Sequence, residues 1–295
     1  MLQKIQPMPA IGDALRIAAT QLQAAGVAQA RLDARLLLMA AADLSHEDVI
    51  RDPDAAMRPE QAQTFAAMIA RRVAREPVSR ILGRREFWSL EFEITPDTLD
   101  PRPDSETLIS AALGLIGDRN RPLRILDIGT GSGCLVLALL SELPHARGAG
   151  IDISQGALDV AQRNARRLGF SGRAQFICCD VRSANWMQQA GSPFDIVIAN
   201  PPYIENAVIS GLAPEVTLFD PYAALAGGED GLDFYRMITT SLVHILCPDG
   251  LVVFEAGAGQ AEAVRMLLHK AGLVTLDTHT DLGGVARAVT GRFEG

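Results

Sequence analysis

The sequence predicts an α/β protein in which a small all-helical domain precedes a larger domain with a mostly parallel sheet. Two observations lead to this prediction. The first 75 residues are rich in alanine and leucine at helical spacing, whereas strand-like apolar runs alternate with helical patterns after residue 104. The length of 295 residues also suits two domains. We therefore expect domains at 1–75 and 104–295, joined by a connector at 76–103.

Four helices are expected in the first domain. An apolar stripe of helical spacing ends at Gly26, and a second helix runs through Leu36. Ser45 begins a third helix with a capping-box pattern, and Pro59 lies in the first turn of a fourth. We find no catalytic constellation in this segment, so we expect it to serve in packing or recognition.

The connector and the larger domain carry the strand signals. Glu86–Trp88 and Glu91–Ile94 alternate polar and apolar residues around a short turn, which predicts a β-hairpin. In the larger domain, strands are predicted at 124–128, 148–152, 175–179, 195–199, 251–255, 274–277 and 286–290, and the clearest helices at 156–168, 231–246 and 260–271.

Composition excludes several classes of protein. The 27 lysines and arginines against 35 aspartates and glutamates give a formal net charge of −8, which argues against a long footprint on nucleic acid. Hydrophobic residues make up 48% of the chain, as in a globular protein. The apolar run Leu36–Ala42 is too short to span a membrane, and Met1–Ala10 lacks the pattern of a secretory signal.

Cysteines and histidines give no sign of a metal site. The four cysteines lack CxxC spacing, and the five histidines are scattered singly. Cys178 and Cys179 lie in a predicted strand, so we expect buried thiols there. A reducing, cytoplasmic setting follows from this usage.

A glycine-rich loop follows the first predicted strand of the larger domain and opens a helix. It reads Asp127-Ile128-Gly129-Thr130-Gly131-Ser132-Gly133. Glycines at alternate positions permit positive φ angles and a close approach of the backbone to a ligand. A dinucleotide site is disfavoured, because the sixth position counted from Gly129 is Cys134 and not glycine.

Two aspartates follow at the ends of the next predicted strands. Asp152 can accept hydrogen bonds from both hydroxyls of a ribose. Asp180 can accept from an adenine amino group while Val181 packs beside the ring. Because carboxyl ends of parallel strands share one edge of a sheet, these groups describe a site for an adenosine without phosphates, which predicts S-adenosylmethionine. The expected cofactor contacts are Asp127, Gly129, Thr130, Gly131, Ser132, Gly133, Asp152, Asp180, Val181 and Asn200.

The tetrapeptide Asn200-Pro201-Pro202-Tyr203 follows the fourth predicted strand, at the same edge. An amide nitrogen has a delocalised lone pair, so a site that makes it attack must orient the group. The side-chain oxygen of Asn200 and the carbonyl of Pro201 can each accept an N–H. The prolines remove competing donors and fix the loop, and Tyr203 offers a π-face to the developing positive charge.

This tetrapeptide resembles the signature of methyltransferases that act on planar amino groups. The resemblance makes Asn200, Pro201 and Tyr203 the expected catalytic residues. All four residues of the tetrapeptide, Pro202 included, are expected to contact the substrate.

Nearly the whole chain resembles the HemK/PrmC family of release-factor glutamine-N5 methyltransferases. The resemblance rests on the glycine loop and the tetrapeptide together with Leu32–Leu37, Leu99–Glu106, Asp220-Pro221 with Ala224-Leu225, Gly227–Gly231, Glu255–Gly257 with Gln260, and Asp281–Gly284 with Arg287. It implies a seven-stranded, Rossmann-like class I S-adenosylmethionine methyltransferase domain behind a helical bundle that helps to hold the release factor.

The resemblance also implies a substrate and a product. The substrate is the glutamine of the Gly-Gly-Gln loop of a peptide chain release factor, and the cofactor leaves as S-adenosyl-L-homocysteine. No nucleic acid, membrane or metal partner is expected.

Three alternatives are open from the sequence. A ribosomal-protein glutamine methyltransferase shares the catalytic domain, although the N-terminal segment favours the release-factor enzyme. A DNA adenine-N6 methyltransferase would need a basic cleft, whereas Ser183–Tyr235 contains seven acidic residues and no lysine or arginine. A cofactor-binding protein without catalysis is disfavoured by the intact Asn200 and the three glycines.

The charges are unevenly distributed along the chain. The seven acids of Ser183–Tyr235 surround the tetrapeptide, whereas Arg71–Arg85 holds six arginines against Glu76. We therefore hypothesise an acidic mouth that receives a basic loop of the partner, and a basic hinge that touches acidic parts of the same partner.

Overall fold

The computed structural model describes residues 9–295 in two compact units. The first unit extends to Gly83 and also includes Pro214–Phe219, and the second comprises Arg84–Ala213 and Asp220–Gly295. The chain therefore passes from the second unit into the first and back again. Residues 1–8, which form most of the segment predicted to carry no secretory signal, lie outside the described residues.

The helices and strands have the following bounds. The helices are α1 (Ile11–Ala24), α2 (Ala30–Ala42), α3 (His46–Arg51), α4 (Pro59–Val73), α5 (Val78–Leu82), α6 (Glu106–Leu115), α7 (Cys134–Glu142), α8 (Gln155–Arg167), α9 (Trp186–Ala190), α10 (Pro214–Thr217), α11 (Asp233–Thr239), α12 (Leu242–Ile245) and α13 (Ala261–Lys270). The strands are β1 (Arg84–Phe87), β2 (Leu90–Glu93), β3 (Arg124–Ile128), β4 (Arg147–Asp152), β5 (Ala174–Cys178), β6 (Phe194–Ala199), β7 (Leu246–Glu255), β8 (Val274–Thr280) and β9 (Ala286–Arg292).

The first unit is helical, as the alanine and leucine spacing predicts. Its core contains Leu22, Leu37 and Phe65, each nearly inaccessible to solvent. The predicted capping box at Ser45 is present, since the Ser45 hydroxyl accepts from the Asp48 N–H at 3.1 Å and the Asp48 carboxylate accepts from the Ser45 N–H at 3.0 Å. Helices α1–α4 are thus the four that local sequence signals predict, whereas α5 and α10 of the same unit were not predicted.

Ion pairs within the first unit hold α10 against α2 and α4. The Arg75 guanidinium donates to both carboxylate oxygens of Glu215, at 2.7 and 2.8 Å. Arg72 bridges Glu215 at 3.0 Å and Asp33 at 2.8 Å. Although burial opposes it, these hydrogen bonds lower the pKa of Glu215 to about 2.

These pairs weaken the hypothesis of a basic hinge. Arg72 and Arg75 are satisfied by Glu215 and Asp33, and Arg71 binds Glu76 at 2.6 Å. Arg84 and Arg85 also pair with carboxylates, those of Glu91 and Asp100, at 3.1 and 3.9 Å. At least five of the six arginines of that segment are thus engaged inside the chain, so less positive charge is available to a partner than the sequence suggests.

The second unit is built around one mixed seven-stranded sheet, which confirms the predicted fold class. The strand order is β5-β4-β3-β6-β7-β9-β8, and β9 runs antiparallel to both of its neighbours while the other pairs are parallel. Successive residues of a strand point to opposite faces, so Ile196 and Ile198 enter one core cluster and Val197 enters the other. Helices α6–α8 contribute to the first cluster, and α9 and α11–α13 to the second.

The β1–β2 hairpin belongs to the second unit. Phe87 and Phe92 are buried in the same cluster as α6 and α7, and their ring centroids lie 6.3 Å apart. The segment expected to connect two domains is therefore packed into one of them at this point.

Two local expectations are wrong. The helix expected at 231–246 is divided into α11 and α12. At the division the hydroxyls of Thr239 and Thr240 donate to backbone carbonyls of the preceding turn at 2.7 and 2.8 Å, and bonds of this kind often bend a helix. Cys178 is exposed, because β5 is an edge strand, whereas Cys179 is buried as expected.

Among residues 9–295, no helix combines the length and the apolar character that crossing a bilayer requires.

A glycine in β4 provides a test of the packing between sheet and helix. In Gly148→Ala the new Cβ would clash with Val136 Cγ2 of α7 and lie 3.4 Å from Leu140 Cδ1. We expect the free energy of unfolding to fall by about 1–3 kcal/mol, as in overpacked cores. Urea unfolding monitored by tryptophan fluorescence measures this free energy, since Trp88 and Trp186 both lie in the second unit.

Gly172→Ala is the matched control, because a Cβ there meets nothing within 4 Å. Equal urea midpoints for the two variants would contradict the packing described for β4 and α7.

Candidate active site

Four neighbouring parallel strands bring the candidate residues to one edge of the sheet. β5 ends at Cys178, two residues before Asp180, and β4 ends at Asp152 itself. β3 ends just before Gly129 of the glycine loop, and β6 ends just before Asn200. Parallel strands share the direction in which they end, so the loops that follow them lie side by side. The structure therefore collects residues that are separated by up to 73 positions in the chain into one region.

The glycine loop turns sharply between β3 and α7. Gly129, Gly131 and Gly133 have φ angles of +73°, +54° and +82°, a region that side chains with a Cβ rarely adopt. At Gly129 and Gly131 a Cβ would meet no atom within 4 Å, so the loop backbone is open on that side. A ligand can approach this backbone closely.

Asp127 lies beneath the loop and is fully buried. One of its carboxylate oxygens accepts from the Thr130 hydroxyl at 2.7 Å and from the Val136 N–H at 3.4 Å, while Oδ1 has no hydrogen-bond partner among the described residues. Burial raises the pKa of Asp127 to about 7. A buried acceptor without a partner is satisfied by a bound water or by a donor group of a ligand.

Asp152 fixes the start of the loop that follows β4. Its carboxylate accepts from the Gly131 N–H and from the Ser154 N–H, both at 2.9 Å. Each oxygen keeps a further lone pair, so contact with two ribose hydroxyls stays a prediction that these bonds permit.

Asp180 and Val181 follow β5. The Asp180 carboxylate accepts from the Arg182 side chain at 2.9 and 3.0 Å, and this hydrogen bonding lowers its pKa. Val181 is partly buried and packs against a core cluster. The predicted adenine contacts of both residues stay predictions.

The tetrapeptide has no regular secondary structure and is held by its neighbours. The Tyr203 carbonyl accepts from the Gln260 side chain at 2.9 Å. Ile204 pairs with the segment at Leu225–Gly227 through backbone hydrogen bonds of 3.0 and 2.8 Å. A Cβ at Gly227 would lie 2.8 Å from the Tyr203 backbone, so this approach requires glycine.

A hydrogen-bonded network lies behind the tetrapeptide. Glu255, at the end of β7, is 1% exposed, and its two carboxylate oxygens accept from the Ser105 hydroxyl at 2.5 Å and the Tyr203 hydroxyl at 3.2 Å. The Asn200 side-chain NH₂ in turn donates to the Ser105 oxygen at 3.2 Å. Burial raises the pKa of Glu255 to about 7, and burial also raises that of the Tyr203 hydroxyl, which stays a donor.

Sequence reasoning assigned no role to Ser105, Glu255 or Gln260, which it quoted only as part of the family resemblance. One local signal points to Glu255, since it is a carboxylate that ends an apolar strand at the ligand-binding edge. For Ser105 and Gln260 no such signal exists, because their partners are distant in sequence.

The acidic segment around the tetrapeptide is also partly neutralised. Asp220 binds Arg102, and Asp230 and Asp233 bind Arg236. Asp195 lies 4.0 Å from Arg121, so with Glu215 five of the seven acids expected to form an acidic mouth are paired with arginines of this chain.

A cavity of about 690 Å³ lies at the opposite edge of the sheet. It is lined at the amino ends of three strands by Arg124, Arg147 and Arg173. Arg173 donates to carbonyls at the end of α7, and Arg124 stacks on Phe194. This cavity is separate from the candidate site.

Family models and curated relatives match most of the chain. Residues 13–83 match the PrmC N-terminal domain, and residues 120–229 match a methyltransferase domain. The chain is 47% identical over 282 residues to the release factor glutamine methyltransferase of Rhodospirillum rubrum, covering 96% of this chain and 85% of that protein. For the release factor glutamine methyltransferase of Bradyrhizobium diazoefficiens the identity is 42% over 285 residues, covering 96% and 94%.

Among solved structures, the fold is similar to that of a methyltransferase from Pyrococcus furiosus. The TM-score is 0.51 at 17% identity, over 78% of this chain and 98% of that chain. This likeness supports the fold alone.

The buried carboxyl groups predict how stability depends on pH. The pKa of Asp127 is raised from 3.8 to about 7, so its protonated form favours the folded chain. We expect the free energy of unfolding to fall as pH rises through this window, by up to about 1.4 kcal/mol per pH unit for one such group. Asp127→Asn should reduce this slope but not abolish it, because the pKa of Glu255 is also raised to about 7 and Glu255 remains in the variant.

Urea unfolding between pH 4.5 and 7.5 measures the slope. The control is Asp118→Asn, whose side chain is exposed and which should keep the wild-type slope. An unchanged slope in Asp127→Asn would show that Asp127 does not titrate in this window.

Proposed function

The chain belongs to the family of release factor glutamine methyltransferases, and from this premise we propose that it methylates the side-chain amide nitrogen (N5) of the glutamine in the Gly-Gly-Gln loop of a peptide chain release factor. One observation carries the proposal. The Asn200–Tyr203 tetrapeptide follows β6, which pairs with β3, the strand that precedes the glycine loop. The tetrapeptide, which would orient the substrate amide, and the open backbone of the glycine loop therefore follow two neighbouring strands.

The residues at the glycine loop suit S-adenosylmethionine. The open backbone at Gly129 and Gly131 admits a ligand, and the unsatisfied Asp127 oxygen and the Asp152 carboxylate offer acceptors to its amino and hydroxyl groups. When bound, the cofactor supplies an electrophilic methyl group, whose transfer leaves S-adenosyl-L-homocysteine and releases one proton from the nitrogen. Asp180, Val181 and the remaining loop residues complete the proposed contacts.

The tetrapeptide orients the substrate amide. The Asn200 side-chain oxygen and the Pro201 carbonyl are the two acceptors for its N–H groups, and they favour the geometry in which the lone pair is free to attack. Tyr203 is fixed at both ends, by Glu255 at its hydroxyl and by Gln260 at its carbonyl, so its ring is held rigidly for the substrate. Alignment of reacting groups can supply about 7–11 kcal/mol of a barrier.

The partner is a release factor, and the helical first unit is proposed to help hold it. A substrate from the translation machinery implies a cytoplasmic location. A ribosomal protein is the second candidate substrate from the sequence. The names of the relatives and the match of the N-terminal segment favour the release factor.

Asn200→Ala tests the proposed catalytic residue. We expect methyl transfer to a release factor to slow by about 10²–10³-fold, the cost of one aimed hydrogen-bonding group, while S-adenosylmethionine affinity changes little. Mass spectrometry of the release factor detects the added methylene. Asn206→Ala, an exposed asparagine in the same loop region, is the control and should keep wild-type turnover.

Wild-type turnover in Asn200→Ala would refute the assignment of Asn200. A wild-type chain that modifies the ribosomal protein and leaves the release factor unmodified would establish the second candidate.

Asp152→Ala tests the proposed cofactor site. The variant loses the acceptor for the ribose and also the bond that holds the Gly131 N–H. We expect S-adenosylmethionine affinity to fall about 10–100-fold, since hydrogen bonds to charged groups contribute about 1.5–3 kcal/mol. Calorimetry measures the affinity. Asp159→Ala, an exposed aspartate of α8, is the control, and equal affinities for the two variants would place the ribose elsewhere.

A further inference from the structure

We propose that Ser105 and Glu255 are positioning residues that orient the Asn200 side-chain amide, so that its oxygen faces the amide to be methylated. The inference rests on the proposed function, because it concerns the orientation of a group in that same site. Neither residue would touch the substrate. Ser105 would act through Asn200, and Glu255 would act through Ser105 and also holds the Tyr203 hydroxyl at its other oxygen.

The direction of the hydrogen bonds determines which atom of Asn200 is free. A serine hydroxyl has one proton, and that of Ser105 is donated to Glu255 Oε2 at 2.5 Å. The Ser105 oxygen can therefore only accept, and it does so from Asn200 Nδ2 at 3.2 Å. The Asn200 NH₂ group therefore points to Ser105, and Asn200 Oδ1 is left as an acceptor for the substrate.

The chemistry of the substrate requires this orientation. A primary amide nitrogen presents only N–H donors to its surroundings. If Asn200 were rotated by half a turn about its last side-chain bond, its NH₂ would face those donors and the acceptor would be lost. Packing alone does not select one of the two orientations, because the oxygen and the nitrogen of an asparagine side chain differ little in size. The Ser105 oxygen, which can only accept a hydrogen bond, selects the orientation in which the Asn200 NH₂ faces it.

Ser105 is not used for the role that its position suggests. It is the N-cap residue of α6, where a serine side chain commonly accepts from an N–H of the first helical turn. Its side chain makes no such bond and is turned to Glu255. Ser105 ends the 3₁₀ turn Pro103–Ser105 and has helical φ and ψ angles of −69° and −13°, so it is not in the conformation of a capping residue and its hydroxyl is available to the network.

Glu255 is a firm anchor for this network. Its backbone pairs with Ala288 of β9, and its carbonyl accepts from the Tyr235 hydroxyl at 2.6 Å. A carboxylate buried to this degree is unfavourable unless it is hydrogen-bonded, and it receives one hydroxyl donor at each oxygen. A well-packed apolar residue would serve stability as well, so the retained carboxylate points to function.

Kinetics of hydroxyl variants test the inference at pH 8, where Glu255 is ionised. In Ser105→Ala we expect kcat to fall about 10–100-fold, while KM values for release factor and S-adenosylmethionine stay within about threefold. Ser105→Thr retains the hydroxyl and should recover most of the activity. Ser110→Ala, an exposed serine of the same helix, is the control and should match wild type.

A double variant separates positioning from general structural damage. If Ser105 acts only through Asn200, Ser105→Ala combined with Asn200→Ala should be no slower than Asn200→Ala alone. The inference would be overturned if the loss of kcat in the double variant equalled the product of the two single losses, or if Ser105→Ala kept the wild-type kcat.

A measurement without turnover keeps the inference testable if the release factor proves not to be the substrate. The side-chain amide resonance of Asn200, identified by its loss in Asn200→Ala, should shift in Ser105→Ala and in Glu255→Gln but not in Ser110→Ala. Should Ser105→Ala fail to fold, Glu255→Gln provides the same readout. Failure of the wild type to methylate a release factor would contradict the proposed function. An Asn200 resonance that is unchanged in both Ser105→Ala and Glu255→Gln would contradict this inference alone.

Discussion

The parallel pairing of β5, β4, β3 and β6 is the constraint on which the rest of the site depends. Because these strands all end at one edge, the loops after them are brought together whatever their own sequences are. The pairing is maintained by apolar residues on both faces of the sheet, such as Ile196 and Val197, which enter two different core clusters. The core therefore positions a site to which it contributes no functional group.

Two buried carboxyl groups lie at this edge, and burial disfavours the charged form of each. Asp127 supports the glycine loop from below, and Glu255 supports the tetrapeptide from behind. Both have pKa values raised to about 7 by burial, which means that the folded chain tolerates them at the expense of stability near neutral pH. Perturbed carboxyl groups of this kind concentrate at functional sites, where their hydrogen bonds orient other groups.

Local signals in the sequence were sufficient for most of the fold. The capping box at Ser45, the alternation in the β1–β2 hairpin and the apolar strands of the sheet each depend on residues a few positions apart. The glycine loop and the tetrapeptide were recognised in the same way. The local signals missed contacts between residues that are distant in the chain: Ser105 and Glu255 are separated by 150 positions, and Arg75 and Glu215 by 140.

The sequence by itself determined the α/β class, the order of the strands along the chain and the two segments that point to methyl transfer. Each of these follows from hydrophobic periodicity or from residue types within a short window. Only the tertiary structure decided which charges neutralise one another, that Cys178 lies on an exposed edge, and that the Ser105 hydroxyl is hydrogen-bonded to both Glu255 and Asn200. Such pairings arise when the sheet is assembled, because hydrogen bonds between side chains require proximity in space, and spacing along the chain does not encode it.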